Sequence, residues 1–288
     1  MGSLRVDPPA EGRQLPDEVD AVFVMGHGTR STKGRDQFLD AVERLDAMIS
    51  PKVGAGFIEL CEPNMYEAID QLLLGEPKHL VIAPMILLPA GHLKDDGAAL
   101  TRYARQKSPS TKTSYAADLG IHDALIDSVA EQIRLAPLDD FDSILLVGRG
   151  SSDKDANSDL FKIARLINEL FGQQILVEGC FISLAKPSVA DGLHRLSMLG
   201  AKRIIVQPYF LYTGALVDRI HQEATAWINT NHVGIEVGIE VGFGAEIGRD
   251  QRVLDVMVER ITEASGGNVR MSCDVCIYRG ATITGVSR

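Results

Sequence analysis

The apolar positions of the chain follow two alternating patterns, one typical of buried strands and the other of amphipathic helices. Residues 21–26, AVFVMG, and residues 81–88, VIAPMILL, are almost continuously apolar. Such runs are typical of strands that are covered on both faces, as in parallel sheets. Between them, apolar residues recur at helical spacing, at Phe38, Leu39, Val42, Leu45, Met48 and Ile49. The alternation predicts an α/β fold with helices on both faces of each parallel sheet.

This order of strands and helices occurs twice in the chain. Residues 143–150, SILLVGRG, match residues 21–28, AVFVMGHG, and Pro187 corresponds to Pro63 in the same alignment. The two copies stay in register to within a few residues, which predicts a duplicated module rather than a chance similarity.

The duplication divides the chain into four segments. We expect a flexible leader, an N-terminal module, a C-terminal module and a tail, at residues 1–19, 20–138, 139–266 and 267–288. The joint between the modules falls near the sequence LAPLDDFD. Each module is long enough to bury a core of its own.

The charge and composition exclude several function classes. The 288 residues are 45% hydrophobic and 24% charged, with a formal net charge of −10 at pH 7. This acidic balance argues against a broad nucleic-acid or membrane surface. No run approaches the ~18–20 apolar residues that span a bilayer, and the leader lacks the apolar core of a secretory signal. Four cysteines are too few for a disulfide framework, so the expected compartment is the cytoplasm.

Two histidines occur in the first copy and not in the second. His27 corresponds to Arg149, and His92 corresponds to Leu216. Both histidines follow predicted strands, at the carboxyl edge where open parallel sheets bind ligands. Because a structural role would apply to both copies, the asymmetry indicates a functional one. Two neutral imidazoles there could hold a divalent transition metal ion or transfer protons near neutral pH.

His27 lies between two glycines, which have no side chain beyond Cα. We interpret Gly26 and Gly28 as clearing space for a large ligand beside the histidine. A dinucleotide site fits less well, because Ser31 stands where that fingerprint has its third glycine, and no Walker A motif occurs. The remaining histidines are interpreted as surface or packing residues: His79, His122, His194, His221 and His232.

Two carboxylates occur at the same predicted edge. Glu59 and Glu62 follow the second strand, where the second copy has Ser183 and Lys186. A carboxylate there could complete metal coordination or accept a proton. Alternatively, Glu62 caps the helix that begins near Asn64.

Four cations, Arg30, Lys33, Lys94 and Arg149, lie in the predicted strand-end loops. Each alone is typical of a solvated charge, whereas together they could bind a polycarboxylate. The edge therefore combines candidate metal ligands with candidate anion-binding groups.

Three segments resemble the sirohydrochlorin chelatase family, the class II tetrapyrrole metal chelatases. They are VMGHGTR at the first strand, FIELCEP after the second and APMILLPAGHLKDD at the third. The resemblance extends over roughly residues 20–265, as two tandem modules with a cleft between the lobes. It implies a lyase that inserts a divalent metal ion into a tetrapyrrole without ATP. The long duplicated form resembles the cobalt-inserting enzymes of cobalamin synthesis, and related members insert iron for sirohaem.

The resemblance also implies roles for matching residues. His27 resembles the metal-binding histidine that accepts pyrrole protons, His92 resembles the second metal-binding histidine, and Glu59 or Glu62 resembles the acidic partner. The residues that bind the macrocycle and its carboxylates would be Leu87, Leu88, Pro89, Ala90, Gly91, Arg30 and Lys94. Because the second module lacks both histidines, we expect it to form the other wall of the cleft.

The tail carries a C-x-x-C motif at Cys273 and Cys276. Two thiolates at this spacing suit an iron–sulfur cluster, zinc or redox chemistry. With Met271 they resemble the Met-x-Cys-x-x-Cys tail that some long chelatases associate with an iron–sulfur centre. A closed site needs four ligands, so a cluster would have to be shared in a homodimer; the alternative is a disordered tail with two reduced thiols. Cys61 and Cys180 are interpreted as buried core residues.

Several functions on a small-molecule substrate remain open at this point. The first is insertion of Co²⁺ into sirohydrochlorin. Insertion of Fe²⁺ is the nearest alternative, since histidine and carboxylate accept both metals. A non-catalytic carrier of metal or tetrapyrrole is the second function. The third is phosphotransfer through His27, which would leave His92 unexplained.

Overall fold

A computed structural model describes residues 19–231, 238–267 and 269, without the side chains of residues 92–94 and 231. Strands and helices alternate through this part of the chain. The first module contains β1 (Ala21–Gly26), α1 (Thr32–Met48), β2 (Lys52–Phe57), α2 (Met65–Leu73), β3 (His79–Pro84), α3 (Gly91–Lys107), β4 (Lys112–Tyr115) and α4 (Asp123–Leu135). The second contains β5 (Ser143–Gly148), α5 (Lys154–Leu170), β6 (Leu176–Phe181), α6 (Val189–Met198), β7 (Arg203–Pro208), α7 (Ala215–Asn231), β8 (Glu240–Phe243) and α8 (Gln251–Ser265).

The strands form two four-stranded parallel sheets with the same topology. Their orders are β2-β1-β3-β4 and β6-β5-β7-β8. Val22 of β1, for example, lies between Val53 of β2 and Val81 of β3. The central strands β1 and β5 are buried along their whole length, as expected for strands covered on both faces. The predicted α/β fold with two duplicated parallel sheets is confirmed.

Helices cover both faces of each sheet. α2 and α3 cover one face of the first sheet, where Ile69 and Leu100 are fully buried. α6 and α7 cover the corresponding face of the second sheet, with Leu193 and Ile220. The opposite faces of both sheets contribute to one shared hydrophobic core with α1, α4, α5 and α8. Within the described ranges, no helix combines the length and the apolar character that crossing a membrane requires.

The fourth helix of each module packs on the sheet of the other module. α8 contacts β3 and β4, whereas α4 contacts β7 and α5, and the two helices also contact each other. The periodicity of an amphipathic helix shows that it buries one face but not which sheet receives that face. The sequence therefore does not predict this exchange, which joins the two modules through one core.

Polar contacts hold the exchanged helices in place. Ser128 in α4 donates to the carboxylate of Asp250, the N-cap residue of α8, at 2.8 Å. The Arg260 guanidinium in α8 donates to the carbonyl oxygens of Asp118 and Leu119 at 3.1 and 3.2 Å. These contacts anchor α8 on the loop that follows β4 of the first module.

The two internal cysteines differ in their surroundings. Cys180 is buried in β6, and burial raises the pKa of its thiol. The interpretation as a core residue is correct for Cys180. Cys61, in contrast, lies in the loop after β2, is only partly buried and borders the core.

Asp250 occupies a nearly enclosed position between the modules. Its side chain is 12% exposed and accepts from the Arg252 guanidinium at 2.6 Å. Burial acts to raise the pKa of the Asp250 carboxyl, but hydrogen bonds from Arg252 and Ser128 outweigh it, so the pKa lies below its ordinary value. Such a carboxyl stabilises the fold above its unfolded pKa, and that stabilisation is lost as the pH falls through the folded pKa.

Replacing Asp250 by alanine removes the cap of α8 and an acceptor for both Ser128 and Arg252. We expect the free energy of unfolding to fall by about 2 kcal/mol near pH 7. The difference from wild type should shrink as the pH falls below about 4, where the unfolded carboxyl becomes protonated, and through the lower pKa of the folded state. Urea denaturation at a series of pH values measures both effects. Asp127→Ala, at an exposed position of α4, is the control, with an expected change under about 0.5 kcal/mol; equal stability of the two variants would contradict the assigned role.

Candidate active site

The residues that follow β1 and β5 meet at the boundary between the modules. His27 comes directly after β1, and Arg149 comes directly after β5. Nη1 of Arg149 lies 2.7 Å from Nε2 of His27. The two positions that correspond in the duplication are thus in contact, so the carboxyl edges of the two sheets face each other.

Glu59 lies at the same histidine. It follows β2, and its Oε1 lies 3.8 Å from Nε2 of His27, beyond a hydrogen bond but within ion-pair distance. The side chains of His27 and Glu59 are 26% and 42% exposed, so a ligand can reach both from solvent. Two of the predicted site residues are therefore brought together at an accessible edge.

The contact with Arg149 assigns the tautomer of His27. A guanidinium carries N–H donors and no acceptor, so Nε2 of His27 accepts in this contact. The proton of the neutral ring is then on Nδ1. The lone pair that a metal ion would use on Nε2 is consequently the one that faces the guanidinium.

The backbone conformation at position 28, rather than a ligand, requires a glycine. Gly28 has a φ of +100°, and a Cβ there would overlap the carbonyl oxygen of Glu59. Gly150 of the second module has a φ of +86° and meets the carbonyl oxygen of Ser183 in the same way. Because the second module has the same glycine without the histidine, the interpretation that this glycine clears space for a ligand is wrong.

Gly26 also lies against protein atoms. A Cβ there would lie 2.8 Å from the ring of Phe38 and 3.1 Å from that of Phe57. Its counterpart Gly148 meets the side chain of Leu160 at 2.8 Å. Both flanking glycines thus allow close packing at the end of the strand, and the interpretation of Gly26 as ligand space is wrong as well.

Glu62 is held at the start of α2. Its Oε2 accepts from the backbone N–H of Asn64 at 2.6 Å, and Asn64 itself caps α2 through the N–H of Tyr66 at 2.9 Å. This geometry matches the capping alternative for Glu62. Of the two glutamates, the structure places Glu59 beside the histidine.

The loop expected to contact the macrocycle lies between β3 and α3. Leu87 and Leu88 are partly exposed and pack against the shared core, whereas Pro89 is buried. The Gly120 N–H donates to the carbonyl oxygen of Leu87 at 2.9 Å and fixes the loop. The loop therefore presents an anchored apolar edge at the carboxyl side of the first sheet.

The second module contacts the first through its corresponding loop. The Thr213 N–H, after β7, donates to the side-chain oxygen of Gln37 in α1 at 3.0 Å. A Cβ on Gly34 would overlap the carbonyl oxygen of Thr213. Residues 211–215 correspond to residues 87–91 of the first module. The two modules are therefore closely apposed along α1.

A groove of about 900 Å³ runs beside this contact but does not include His27. Its lining residues are Thr32, Lys33, Asp36, Gln37, Asp40, Arg44 and Arg249. Lys33, one of the four candidate cations, lines this groove together with Asp36 and Asp40 of the same helix. We interpret the groove as solvated surface. Arg30, another of the candidate cations, is exposed and lies closer along the chain to His27.

Some of the predicted site residues fall outside the described part. His92 and Lys94 belong to the first turn of α3, and their side chains are among those not described. Four further residues that the sequence analysis names also lie outside the described part: His232, Met271, Cys273 and Cys276. Among the described side chains, no three His, Cys, Asp or Glu residues form a metal-binding group. A site built by His27, His92 and Glu59, and a cluster at the tail cysteines, therefore stay predictions.

Three of the other described histidines have packing or capping contacts, and His194 is exposed. His122 caps α4 by accepting from the Ala124 N–H at 3.1 Å. His79 is buried, with Nε2 2.9 Å from the Ser114 hydroxyl. His221 stacks on an aromatic ring of β8 at a centroid distance of 4.4 Å. These contacts match the interpretation of the three as surface or packing residues.

The sequence did not predict the contact of Arg149 with His27. Arg149 was grouped with the candidate cations, but the contact depends on how the two sheets face each other. Its alignment with His27 in the duplication was the available signal. When two similar modules face each other, corresponding positions that lie close to their boundary can come into contact.

Comparison with known protein families gives two matches in this chain. The model of the CbiX family matches residues 21–136 and, a second time, residues 143–264. The two matches follow the internal duplication.

Relatives and solved structures point to the same family. A sirohydrochlorin cobaltochelatase of Priestia megaterium is 32% identical over 90% of this chain and 84% of that protein. A sirohydrochlorin ferrochelatase of the same organism is 30% identical over 77% of this chain and 87% of that protein. The structure of SirB from Bacillus subtilis with Fe³⁺ matches with a TM-score of 0.72 and 25% identity, covering 86% of this chain and 96% of that chain.

Alanine substitutions at Gly28 and Gly150 test whether both glycines serve the backbone. Each places a Cβ against a carbonyl oxygen at positive φ, so we expect each to lower the free energy of unfolding by about 2–4 kcal/mol. Urea denaturation measures the loss. Gly172→Ala is the control, because Gly172 also has positive φ but open space around it, and we expect a loss of about 1 kcal/mol. A Gly28→Ala protein of wild-type stability that fails to bind ligand would restore the ligand-space interpretation.

Proposed function

Because the chain belongs to the CbiX family of sirohydrochlorin chelatases, we propose that it inserts Co²⁺ into sirohydrochlorin for cobalamin synthesis, without ATP. The family is one of metal-inserting enzymes. In the reaction the tetrapyrrole binds the metal ion through its pyrrole nitrogens and releases two pyrrole protons to a base and then to solvent.

The proximity of His27 and Glu59 at an accessible sheet edge carries the proposal. Nε2 of His27 and Oε1 of Glu59 lie 3.8 Å apart, which gives one nitrogen and one oxygen donor beside a surface open to solvent. A neutral imidazole and a carboxylate are suitable ligands for a divalent transition metal ion. An imidazole nitrogen and a carboxylate oxygen can also act as general bases.

Metal transfer and proton transfer then use the same atoms in sequence. His27 binds the metal ion through Nε2 and holds it beside the macrocycle. When the metal moves to the pyrrole nitrogens, Nε2 is released and can accept one displaced proton. Glu59 can accept the second proton. Each of the two displaced protons therefore has a base to accept it, as general base catalysis requires.

The surrounding residues supply the substrate contacts in this proposal. The partly exposed Leu87 and Leu88 offer an apolar surface to the flat ring. Arg30 and Lys94 bind its carboxylates, and His92 is the second metal ligand. Glu62 supports the site by holding the start of α2.

We propose Co²⁺ rather than Fe²⁺ as the metal substrate, although the donor atoms are compatible with both ions. The cobaltochelatase match covers 90% of this chain and the ferrochelatase match covers 77%, at 32% and 30% identity. The ferrochelatase relatives make Fe²⁺ the specific alternative, and relative rates with the two metals distinguish them.

Anaerobic absorbance of sirohydrochlorin with Co²⁺ or Fe²⁺ tests the reaction. We expect catalytic conversion by the wild-type protein and a loss of at least about 100-fold in His27→Ala, since both a ligand and a base are removed. Glu59→Gln should lose about 10-fold or more, because the amide cannot accept a proton. Glu62→Gln is the matched control, with a smaller loss than Glu59→Gln.

Three results would contradict parts of this proposal. A spectral change that stops at one equivalent of protein would indicate a carrier. Conversion that is insensitive to His27→Ala would place the active site elsewhere. Faster conversion with Fe²⁺ than with Co²⁺ would favour sirohaem synthesis.

A further inference from the structure

The second module uses the lone pair of His27 through which a metal ion would bind. Nη1 of Arg149 donates to Nε2 of His27 at 2.7 Å. A neutral imidazole has a single lone pair in the ring plane, so the guanidinium and a metal ion exclude each other at this nitrogen. The guanidinium also places a positive charge where a divalent cation would approach.

Arg149 can leave this position without a change of fold. Its carbonyl oxygen accepts from the Ser183 N–H at 2.9 Å, which fixes its backbone beside the loop after β6. Its side chain is exposed. The guanidinium can therefore move away from His27 by rotation about the side-chain bonds of Arg149, between staggered conformers.

We propose that Arg149 competes with the metal ion for His27 and is withdrawn by a carboxylate of the tetrapyrrole, an inference that rests on the proposed function. A guanidinium makes two parallel hydrogen bonds to a carboxylate but only one to an imidazole nitrogen. A carboxylate that arrives with the macrocycle is therefore the better partner. Its arrival frees Nε2, so metal binding at His27 is coupled to binding of the macrocycle.

The coupling acts in both directions. Without the macrocycle, the apparent metal affinity is reduced by the fraction of time for which Arg149 leaves Nε2 free. By thermodynamic linkage, a metal ion on His27 leaves Arg149 available and raises the affinity for the carboxylate. Arg149 thus couples the two binding events, and it is contributed by the module that has an arginine at the position of His27.

Titration of Co²⁺ into the full protein, without tetrapyrrole, tests the competition. We expect Arg149→Ala to bind Co²⁺ about tenfold more tightly than wild type, which corresponds to occupation of Nε2 by Arg149 roughly nine-tenths of the time. Lys154→Ala is the matched control, because it removes a positive charge from the exposed first residue of α5. Its expected effect is less than about twofold, since salt screens exposed charges.

Combination with His27→Ala shows whether the gain acts through the histidine. We expect Arg149→Ala to give no tighter Co²⁺ binding in the His27→Ala background. A gain that survives in that background would overturn the proposal. An equal gain in Lys154→Ala would overturn it too, because removal of charge alone would then explain the result.

Two further readouts do not depend on turnover. Long-range proton–nitrogen NMR should show the wild-type His27 proton on Nδ1 and a shift of the proton towards Nε2 in Arg149→Ala. Sirohydrochlorin, titrated without metal, should bind severalfold more weakly to Arg149→Ala, and an unchanged affinity would overturn the withdrawal by carboxylate. A protein that gives these results but does not convert sirohydrochlorin would contradict the proposed function while supporting the competition at His27.

Discussion

Each sheet of this protein is completed by a helix from the other half of the chain. α8 packs on β3 and β4, and α4 packs on β7, so neither sheet has both faces covered until the two modules are together. The exchange fixes the relative position of the sheets through a continuous apolar core, which is close-packed and tolerates little sliding. The contact between His27 and Arg149 depends on that position, because each residue belongs to a different sheet.

The two modules share specific backbone features at the site, whereas side chains at corresponding positions differ. Gly28 and Gly150 share a positive φ and the same approach to a carbonyl oxygen. The loops after β2 and β6 likewise share a left-handed residue, Leu60 and Leu184. The duplicated scaffold therefore sets where side chains project, whereas the choice between histidine and arginine sets the chemistry at that position.

Local features of the chain were predictable from the sequence, and features that depend on the packing of the two modules were not. The apolar runs predicted β1 and β3, and the rule that parallel strands end at one edge predicted the proximity of His27 and Glu59. The interpretation of Gly28 failed because a glycine that avoids a carbonyl oxygen and one that admits a ligand look identical in sequence. The exchange of α4 and α8 and the contact of Arg149 both depend on long-range placement, which periodicity does not encode.

The contact between positions 27 and 149 changes how the absence of a histidine at position 149 is interpreted. If the two modules had separate sites, the arginine at position 149 would leave the second site without the histidine that the first one has. Because position 149 contacts His27, both positions instead belong to a single site. A histidine at position 149 would place a second imidazole there instead of a guanidinium. Arginine instead reaches the nitrogen and offers a partner for anions. The two halves of this edge are therefore chemically different: the first module supplies an imidazole and a carboxylate, and the second supplies a guanidinium.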